Sequence, residues 1–287
     1  MNTLATADHP QAALPVAPTG LRSLTRRAGD VSVLAWRNLL HIAREPLQLS
    51  DVTVQPVLFT LLFVYVFGSG VVLPGGGSYT SFAIAGMLAM NLTTSSMGAA
   101  VGLSSDLGAG VIDRFRTLAM WRPAVLVGRT CADLLTAVVC STFVALTGLL
   151  VGWRPEGSFL ATLAGFGVFL LFSYALSWGC ACLGILSKDP ESAQSTGLVI
   201  VFPLAIVSNA LVPTEHMPAL LRTIADWNPV SAVTAAAREL FSNPNPSANI
   251  HVWPMQHPIL ASLLWSVAII GVFAPLATWL YRRRTTD

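Results

Sequence analysis

One short stretch, residues 110–124, carries four charged residues and lies between two long apolar runs. They are Asp113, Arg114, Arg116 and Arg122, and the apolar members on the other side of a predicted helix include Phe115 and Leu118. A short amphipathic helix of this kind can insert its apolar side chains into a groove of a soluble partner while its charges fix the orientation. The stretch therefore predicts a docking element. The alternative is a helix that lies flat on a membrane surface.

Catalytic chemistry has little support in the sequence. All five histidines lie outside the long apolar runs, which removes the usual base for an intramembrane Ser–His pair, so Ser104 is predicted to be a helix-end serine. The phosphate-binding pattern G-x-x-x-x-G-K followed by Ser or Thr does not occur, and the single lysine, Lys188, is followed by Asp189. The chain is therefore not predicted to be an enzyme or to bind a cofactor, and any energy from ATP must come from a separate subunit.

Ionisable and metal-binding residues are also rare inside the apolar runs. Asp133 is the one candidate for a proton relay, and it follows Arg129 by four residues, a spacing at which two side chains pair on a helix. The four cysteines are Cys131, Cys140, Cys180 and Cys182. Because the one C-x-C spacing has no matching second pair, they are predicted to be small packing residues. Proton-coupled transport and metal chemistry are both disfavoured.

The composition is that of an integral membrane protein. Apolar residues make up 54% of the 287 residues, and the mean hydropathy is +0.65. A helix needs about 20 apolar residues to cross the hydrocarbon layer, and six continuous stretches reach this length. They are residues 51–73, 79–103, 130–151, 159–186, 193–212 and 259–280. Since the runs do not alternate as barrel strands do, an all-α protein with six transmembrane helices is predicted over residues 51–280.

The basic residues indicate how these spans are oriented. Thirteen of the Lys and Arg residues fall on one side of the predicted membrane and three fall on the other, namely Arg154, Arg222 and Arg238. Short loops rich in Lys and Arg stay cytoplasmic, so both termini are predicted to be cytoplasmic. An odd number of spans would separate Arg282–Arg284 from the basic N-terminal segment, which favours six.

Three terminal segments lie outside the predicted spans. Residues 1–21, rich in Ala, Pro and Thr, are predicted to be a disordered cytoplasmic tail, and residues 281–287 form a second cytoplasmic tail. Residues 22–50 contain an amphipathic pattern typical of a helix that lies along the cytoplasmic membrane surface and contacts membrane lipids.

Residues 213–258 form the longest segment on the predicted outer side. Two short helical patterns, joined at Asn228-Pro229, are each too short to span the membrane. They predict a hairpin that dips into the outer leaflet. The turn-forming residues 242–249 that follow are predicted to be a disordered tip.

Several motifs, in this order along the chain, resemble the permeases of ABC type-2 exporters, close to the daunorubicin-resistance permeases of actinobacteria. They are Arg44-x-Pro46, the D-R-F-R-T-L-x-M from Asp113 to Met120, the A-V-L-V-G-R that ends at Arg129, the L-V-P-T-E-H-M-P from Leu211 to Pro218, and the W-N-P-V-S from Trp227 to Ser231 with Arg238 beyond it. Each motif alone is weak. Their order and their placement relative to the predicted spans make the resemblance specific.

The resemblance implies an N-terminal connecting helix, a coupling helix over residues 110–124 and a re-entrant outer hairpin before the last span. It also implies that two permeases, identical or paralogous, pair with two ABC ATP-binding subunits that hold ATP and Mg, with no nucleic acid among the partners. Asp113, Arg114 and Arg116 would then transmit closure of these subunits to the second and third spans. Such permeases sit in the cell membrane and export amphipathic drugs, antibiotics or lipids.

By the same resemblance, the second and fifth spans would line the transport route. The side chains exposed to it would be Asn91, Thr94, Phe202, Ser208 and Asn209. Hydroxyl and amide groups also join helices within membranes, so a packing role stays open for the polar members of this set. Two other functions share the predicted topology: a polysaccharide or lipid-carrier exporter, and a membrane assembly subunit that transports nothing.

Overall fold

The structure, a computed structural model, describes residues 46–68, 70, 73, 76–108, 124–246 and 250–284. Over these ranges the regular elements are all helices, which confirms the all-α prediction. The helices are α1 (Pro46–Leu62, continued by a π-helical turn, Phe63–Phe67), α2 (Tyr79–Ser95), α3 (Gly98–Gly108), α4 (Ala124–Leu150), α5 (Phe159–Leu186), α6 (Pro190–Ile206), α7 (Ala219–Trp227), α8 (Pro229–Leu240), α9 (Trp253–Gln256) and α10 (Pro258–Arg284).

Five helical stretches of the described residues are long and apolar enough to cross a membrane. They are Leu49–Phe67, Tyr79–Gly108, Val125–Leu150, Phe159–Leu186 and Pro258–Arg284. The remaining predicted span, residues 193–212, corresponds to α6, which has 17 residues and ends at Ile206. A helix of that length reaches about 25 Å, less than the ~30 Å of the hydrocarbon layer. The count of six crossings therefore stays a prediction.

Several predicted boundaries are wrong. The first span ends at Phe67 rather than at residue 73, and its apolar stretch begins at Leu49, two residues before the predicted start, within a helix that begins at Pro46. The second predicted span is not continuous, because it breaks at Ser96 and Met97 into α2 and α3. At this break, Ser95 and Ser96 bond to carbonyls of their own helix.

Helix α5 lies at the centre of the bundle and packs against α3, α4, α8 and α10. Its Phe169 and Phe172 belong to one buried cluster with Leu88 of α2 and Val233 of α8. By contrast, α1 and α10 leave most of their apolar side chains exposed. Lipid tails are as apolar as these side chains, so packing between the helices, rather than exclusion of water, holds the bundle together.

The bundle has two distinguishable sides. On the first, the hairpin formed by α7 and α8 meets the α4–α5 turn, where Glu156 and Gly157 donate backbone hydrogen bonds to Phe241 O at 3.0 and 3.2 Å. We call this the hairpin side. On the opposite side, Arg284 at the end of α10 donates to Ile185 O and Ser187 O beside the end of α5. The last turns of α3 and the first turns of α4 lie on that opposite side, where Leu103 and Val125 join one buried cluster with Ile185 and Tyr281.

Candidate functional site

The predicted pathway residues Asn91 and Thr94 lie half-buried on α2, and both bond to their own helix. Asn91 Nδ2 donates to Met87 O at 2.8 Å, and Thr94 Oγ1 donates to Met90 O at 3.0 Å and Asn91 O at 3.1 Å. These internal bonds satisfy their polar atoms within the apolar bundle. In this conformation the two side chains neither pair across helices nor lie fully exposed.

The same polar run continues into the break between α2 and α3. Ser96 Oγ donates to Thr93 O at 2.6 Å, and Ser95 Oγ donates to Leu92 O at 3.1 Å. The backbone N–H groups of Met97, Ala99 and Ala100 donate to carbonyls only three residues earlier, at 3.1, 3.2 and 2.9 Å. Hydroxyl groups that bond back to helix carbonyls bend helices, and short three-residue bonds in mid-helix tighten and interrupt the α-helical pattern. The hydroxyl bonds and the tightened turn therefore coincide at the break, although the same three-residue bond from Ser141 leaves α4 unbroken.

Small side chains surround the break. Ser173 Oγ of α5 donates to Leu92 O at 3.2 Å, and the Sγ of Cys180 lies 3.6 Å from Ser96 Oγ. From α6, Gly197 faces the Met97 side chain. Ala99, Ala100 and Ala193 complete this part of the core. The cysteines are free thiols, and Cys140, Cys180 and Cys182 are buried as packing residues.

Helix α6 carries the third predicted pathway residue, Phe202, with its side chain 40% exposed on the surface of the bundle. The helix begins with a capping box, in which Asp189 Oδ1 accepts a hydrogen bond from Ser192 N at 2.8 Å. That backbone bond lowers the pKa of the Asp189 carboxyl below its ordinary value. α6 packs against both α2 and α3, so its start and its exposed face are fixed beside the break.

Ser208 and Asn209, the last two predicted pathway residues, follow the end of α6 and are 2% and 1% exposed. Ser208 Oγ donates to Ala205 O at 2.6 Å and accepts from Ala210 N at 3.2 Å. Asn209 N donates to Ser231 Oγ of α8 at 2.9 Å. In this conformation both residues join the irregular segment after α6 to the hairpin.

The hairpin helices α7 and α8 match the two helical patterns of the sequence and meet at Asn228. Its Oδ1 accepts from Val230 N at 2.8 Å and so caps α8, while its Nδ2 donates to Leu204 O at 2.8 Å and Val207 O at 2.5 Å. Asn228 therefore binds the hairpin to the end of α6, where helix carbonyls lack backbone partners. Entry of this hairpin into the membrane stays a prediction.

The prediction of a disordered tip is wrong for residues 242–246. Asn243 is buried, its Oδ1 accepts from Trp153 Nε1 at 2.7 Å, and its Nδ2 donates to Arg154 O at 3.2 Å. Trp153 itself is 1% exposed and packs edge-on against Phe241. The turn residues at 242–246 thus close a packed corner on the hairpin side.

Arg238 of α8 is fully buried and binds backbone carbonyls of two other segments. Its Nη1 donates to Asn209 O at 3.0 Å, its Nη2 to Ala210 O at 2.7 Å and to Phe82 O at 3.1 Å, and its Nε to Phe82 O at 3.3 Å. The guanidinium carbon also lies 3.6 Å from the centre of the Phe82 ring, a cation–π distance. Burial lowers the pKa of Arg238 to about 9, so the side chain remains a cation at neutral pH.

Sequence reasoning missed this role, because Arg238 was counted as a loop charge on the outer side. A signal existed, since Ser231, Thr234 and Arg238 lie at helical spacing and all three are buried. A polar stripe on an otherwise Ala-rich helix marks a face that needs hydrogen-bond partners. Close approach is also required nearby, because a Cβ at Gly86 of α2 would overlap Ala210 O.

A second arginine joins two helices on the opposite side. Arg129 Nη2 of α4 donates to Gly98 O of α3 at 2.6 Å. Its Nε lies 3.5 Å from Asp133 Oδ1, as the four-residue spacing predicts. Gly102 of α3 leaves room for the guanidinium, which a Cβ there would overlap. The predicted docking residues lie outside the described part of the chain, as do residues 1–45 and 285–287: they are Asp113, Arg114, Phe115, Arg116 and Leu118.

The comparisons with known proteins agree with this arrangement. The family model of the ABC-2 type transporter matches residues 30–241. The chain belongs to the ABC-2 type transporter family. It is 33% identical over 249 residues to the daunorubicin resistance ABC transporter permease protein DrrB1 of Streptomyces coeruleorubidus, covering 87% of this chain and 84% of that protein.

Two further relatives are also named as permeases. The chain is 25% identical over 255 residues to the probable doxorubicin resistance ABC transporter permease protein DrrC of Mycobacterium tuberculosis, covering 87% of each. It is 25% identical over 223 residues to the putative transport permease ycf38 of Porphyra purpurea, covering 75% of this chain and 74% of that protein. This ABC-2 family member is therefore a multi-pass membrane permease, and the family implies an ABC ATP-binding partner.

Proposed function

We propose that the chain is the permease subunit of an ATP-driven exporter that moves an amphipathic drug, antibiotic or lipid-like compound across the cytoplasmic membrane. The observation that carries the proposal is the match over most of the chain to a permease named for daunorubicin resistance. A separate ABC ATP-binding subunit supplies the energy and holds ATP and Mg. Both termini face the cytoplasm, as the distribution of Lys and Arg supports.

The transport route runs along α2 and α6. Asn91, Thr94 and Phe202 are the side chains of the predicted set that a substrate reaches first, because they are half-buried or exposed. Ser208 and Asn209 are buried, so contact with substrate requires the segment after α6 to move away from α8. Phe202 offers an apolar surface and Asn91 an amide, a combination suited to an amphipathic molecule.

A second permease copy completes the route. Helices α1, α6 and α10 expose broad apolar faces, and α6 also exposes the polar side chains of Gln194, Ser195 and Thr196 near its start. Polar groups at this position are costly against lipid, whereas a facing copy can pair with them or enclose a polar passage with them. The functional unit is then two permeases, identical or paralogous, with two ATP-binding subunits.

The test is reconstitution of the permease with a candidate ABC ATP-binding subunit in lipid vesicles. We expect the two proteins to co-purify, an anthracycline to stimulate ATP hydrolysis, and the compound to move across the vesicle membrane only when ATP is present. A matched control replaces the catalytic glutamate of the ATP-binding subunit. Uphill transport by the permease alone would refute the proposal, as would a complex that hydrolyses ATP and moves no amphipathic compound.

A further inference from the structure

Three features divide the stretch Tyr79–Gly108 into two parts that are bound by different arginines. The first is the break itself. Between α2 and α3, the backbone N–H groups of Met97, Ala99 and Ala100 donate to carbonyl oxygens three residues earlier in the chain. Ser96 Oγ also donates a hydrogen bond to Thr93 O. Short segments of this type in mid-helix often mark functional hinges. The break lies about two-thirds along the helical stretch, where a small rotation displaces the far end of α3.

The second feature joins α3 to α4. Arg129 bridges the two helices through its bond to Gly98 O, and its ion pair with Asp133 fixes the guanidinium from the α4 side. Gly102 lies under the same guanidinium. Since α3 ends at residue 108 and α4 begins at residue 124, Arg129 ties together the two helices that flank residues 109–123.

The third feature joins α2 to the hairpin. Arg238 binds Phe82 O of α2 and the carbonyls of Asn209 and Ala210 in one cluster. Gly86 of α2 contacts Ala210 directly, with no room for a Cβ. Any displacement of the hairpin relative to α2 must therefore break several buried hydrogen bonds at once.

The packing at the break permits movement between these two bodies. Small side chains from α5 and α6, such as Ser173, Cys180 and Gly197, face the break, with Leu183 and Val201 as the larger members of the same cluster. Small side chains do not interlock as large ones do, so helices can rotate past each other over short distances.

We propose that Ser96–Met97 is the hinge of the transport cycle, and that Arg129 and Arg238 are positioning residues on either side of it. Arg129 keeps α3 and α4 together as the body that receives the movement of the ATP-binding subunit. Arg238 keeps α2, the segment after α6 and the hairpin together as the body that opens or closes the hairpin side. The proposal rests on the function proposed above.

The experiment measures distances between spin labels in the full-length permease in lipid nanodiscs, alone and with its ATP-binding subunit. Labels are attached through an unnatural amino acid, so that the native cysteines are kept. One pair, at Ser78 and Ser105, spans the hinge, and the control pair, at Ser105 and Val139, lies within the α3–α4 body. All three sites are exposed. We expect ATP trapping to shift the Ser78–Ser105 distance by about 2–5 Å, the scale of helix shifts in switching proteins, and to leave the control distance unchanged.

Substitutions at the break distinguish a hinge that moves during transport from a bend that only shapes the helix. Ser95→Ala with Ser96→Ala removes the hydroxyl groups and favours a continuous helix. This double variant is expected to hydrolyse ATP normally, to lose at least tenfold in transport, and to lose the Ser78–Ser105 shift. Ser141→Ala is the matched control, since Ser141 Oγ makes the same three-residue bond, to Val138 O, in the unbroken α4.

Arg129 is tested in the same way. Arg129→Ala should broaden the control distance and uncouple hydrolysis from transport, whereas Arg129→Lys should restore part of the coupling because it keeps a charge beside Asp133. A Ser78–Ser105 distance that stays constant in a complex that transports would overturn the hinge and leave the proposed function intact. If no ATP-binding subunit binds, the proposed function fails. In that case the hinge is tested on the permease without a partner. The distribution of Ser78–Ser105 distances must then be broader than that of the control pair, and it must become narrower in the double serine variant.

Discussion

At the scale of single residues, Arg238 shows how the bundle accommodates a buried cation. Among the described residues, its hydrogen bonds run to carbonyl oxygens, and it forms no ion pair with a carboxylate. Two of these carbonyls, of Asn209 and Ala210, belong to an irregular segment and lack helical partners. A guanidinium has five donors in a fixed plane, so it can satisfy several such carbonyls at once. The cation and the irregular backbone therefore stabilise each other.

Arg238→Met is expected to lower the free energy of unfolding by about 3 kcal/mol or more, because each buried carbonyl left without a donor costs about 1–3 kcal/mol. Arg238→Lys should cost less, since an ammonium reaches part of the carbonyl cluster. Thermal and denaturant unfolding of the detergent-solubilised protein measure both changes. Equal stability of the Met variant and the wild type would contradict the assignment.

At the scale of helices, the sequence predicts that a helix exists more accurately than it predicts whether that helix is continuous. The apolar run of α5 was located at its true ends, residues 159 and 186, because a continuous run between turn residues has only one interpretation. The break in Tyr79–Gly108 was not predicted, although two polar residues that precede it, Asn91 and Thr94, are among the predicted pathway residues. Composition shows that such groups need partners. Only the fold shows that those of Ser95 and Ser96 are their own helix carbonyls.

In the candidate site, too, local contacts were predictable from the sequence and contacts between distant residues were not. The pairing of Arg129 with Asp133 is a local property of helix spacing and was predictable. The contact of Arg129 with Gly98, and that of Arg238 with Phe82, join residues distant in sequence. Such contacts depend on how the helices cross, which no periodicity within one helix determines.

The approach of α2 to the segment after α6 can be tested by adding one methyl group. Gly86→Ala is expected to destabilise the protein by about 1–3 kcal/mol, because the new Cβ overlaps the backbone oxygen of Ala210. Gly167→Ala in α5 is the control, since nothing lies near its Cβ position, and it should be neutral or slightly stabilising. Unfolding curves of both variants in the same detergent give the difference. Similar unfolding curves for the two variants would mean that α2 and the segment after α6 lie further apart than the structure places them.

The start of α6 provides a pH-dependent prediction. The pKa of Asp189 is lowered in the folded state, chiefly by its bond from Ser192 N. Its stabilisation of the helix start is therefore complete above the unfolded pKa, about 3.9, and is lost as the pH falls through the lower folded value. Asp189→Ala should speed amide hydrogen exchange in the first turn several-fold at pH 7, whereas Asp189→Ser should keep it slow as another capping residue. Exchange measured by mass spectrometry that is equal in all three proteins would contradict the cap.

At the scale of the whole molecule, the bundle is an ABC-2 permease, and the proposed source of its movement is a separate ATP-binding subunit. The helices α3 and α4, joined by Arg129, end and begin at the segment that carries Asp113, Arg114 and Arg116. A force applied to that segment therefore reaches both helices together. On the hairpin side, Trp153, Asn228 and Arg238 tie the outer segments to the bundle.

Reversal of two charges in that segment tests the predicted docking role. Arg114→Glu with Arg116→Glu should leave membrane insertion intact and reduce ATP-driven export at least tenfold, because the reversed charges no longer orient the helix on the ATP-binding subunit. Arg283→Glu, a reversal on the same predicted side but in the last helix, should change export little. Export from vesicles and co-purification are measured for each variant. Normal export by the double variant would count against docking through these residues.

The oxygen atoms around Arg238 all belong to the main chain, at Phe82, Asn209 and Ala210. Main-chain oxygens are present whatever amino acid occupies a position, so substitutions at Asn209 and Ala210 that keep the backbone path also keep these hydrogen-bond acceptors.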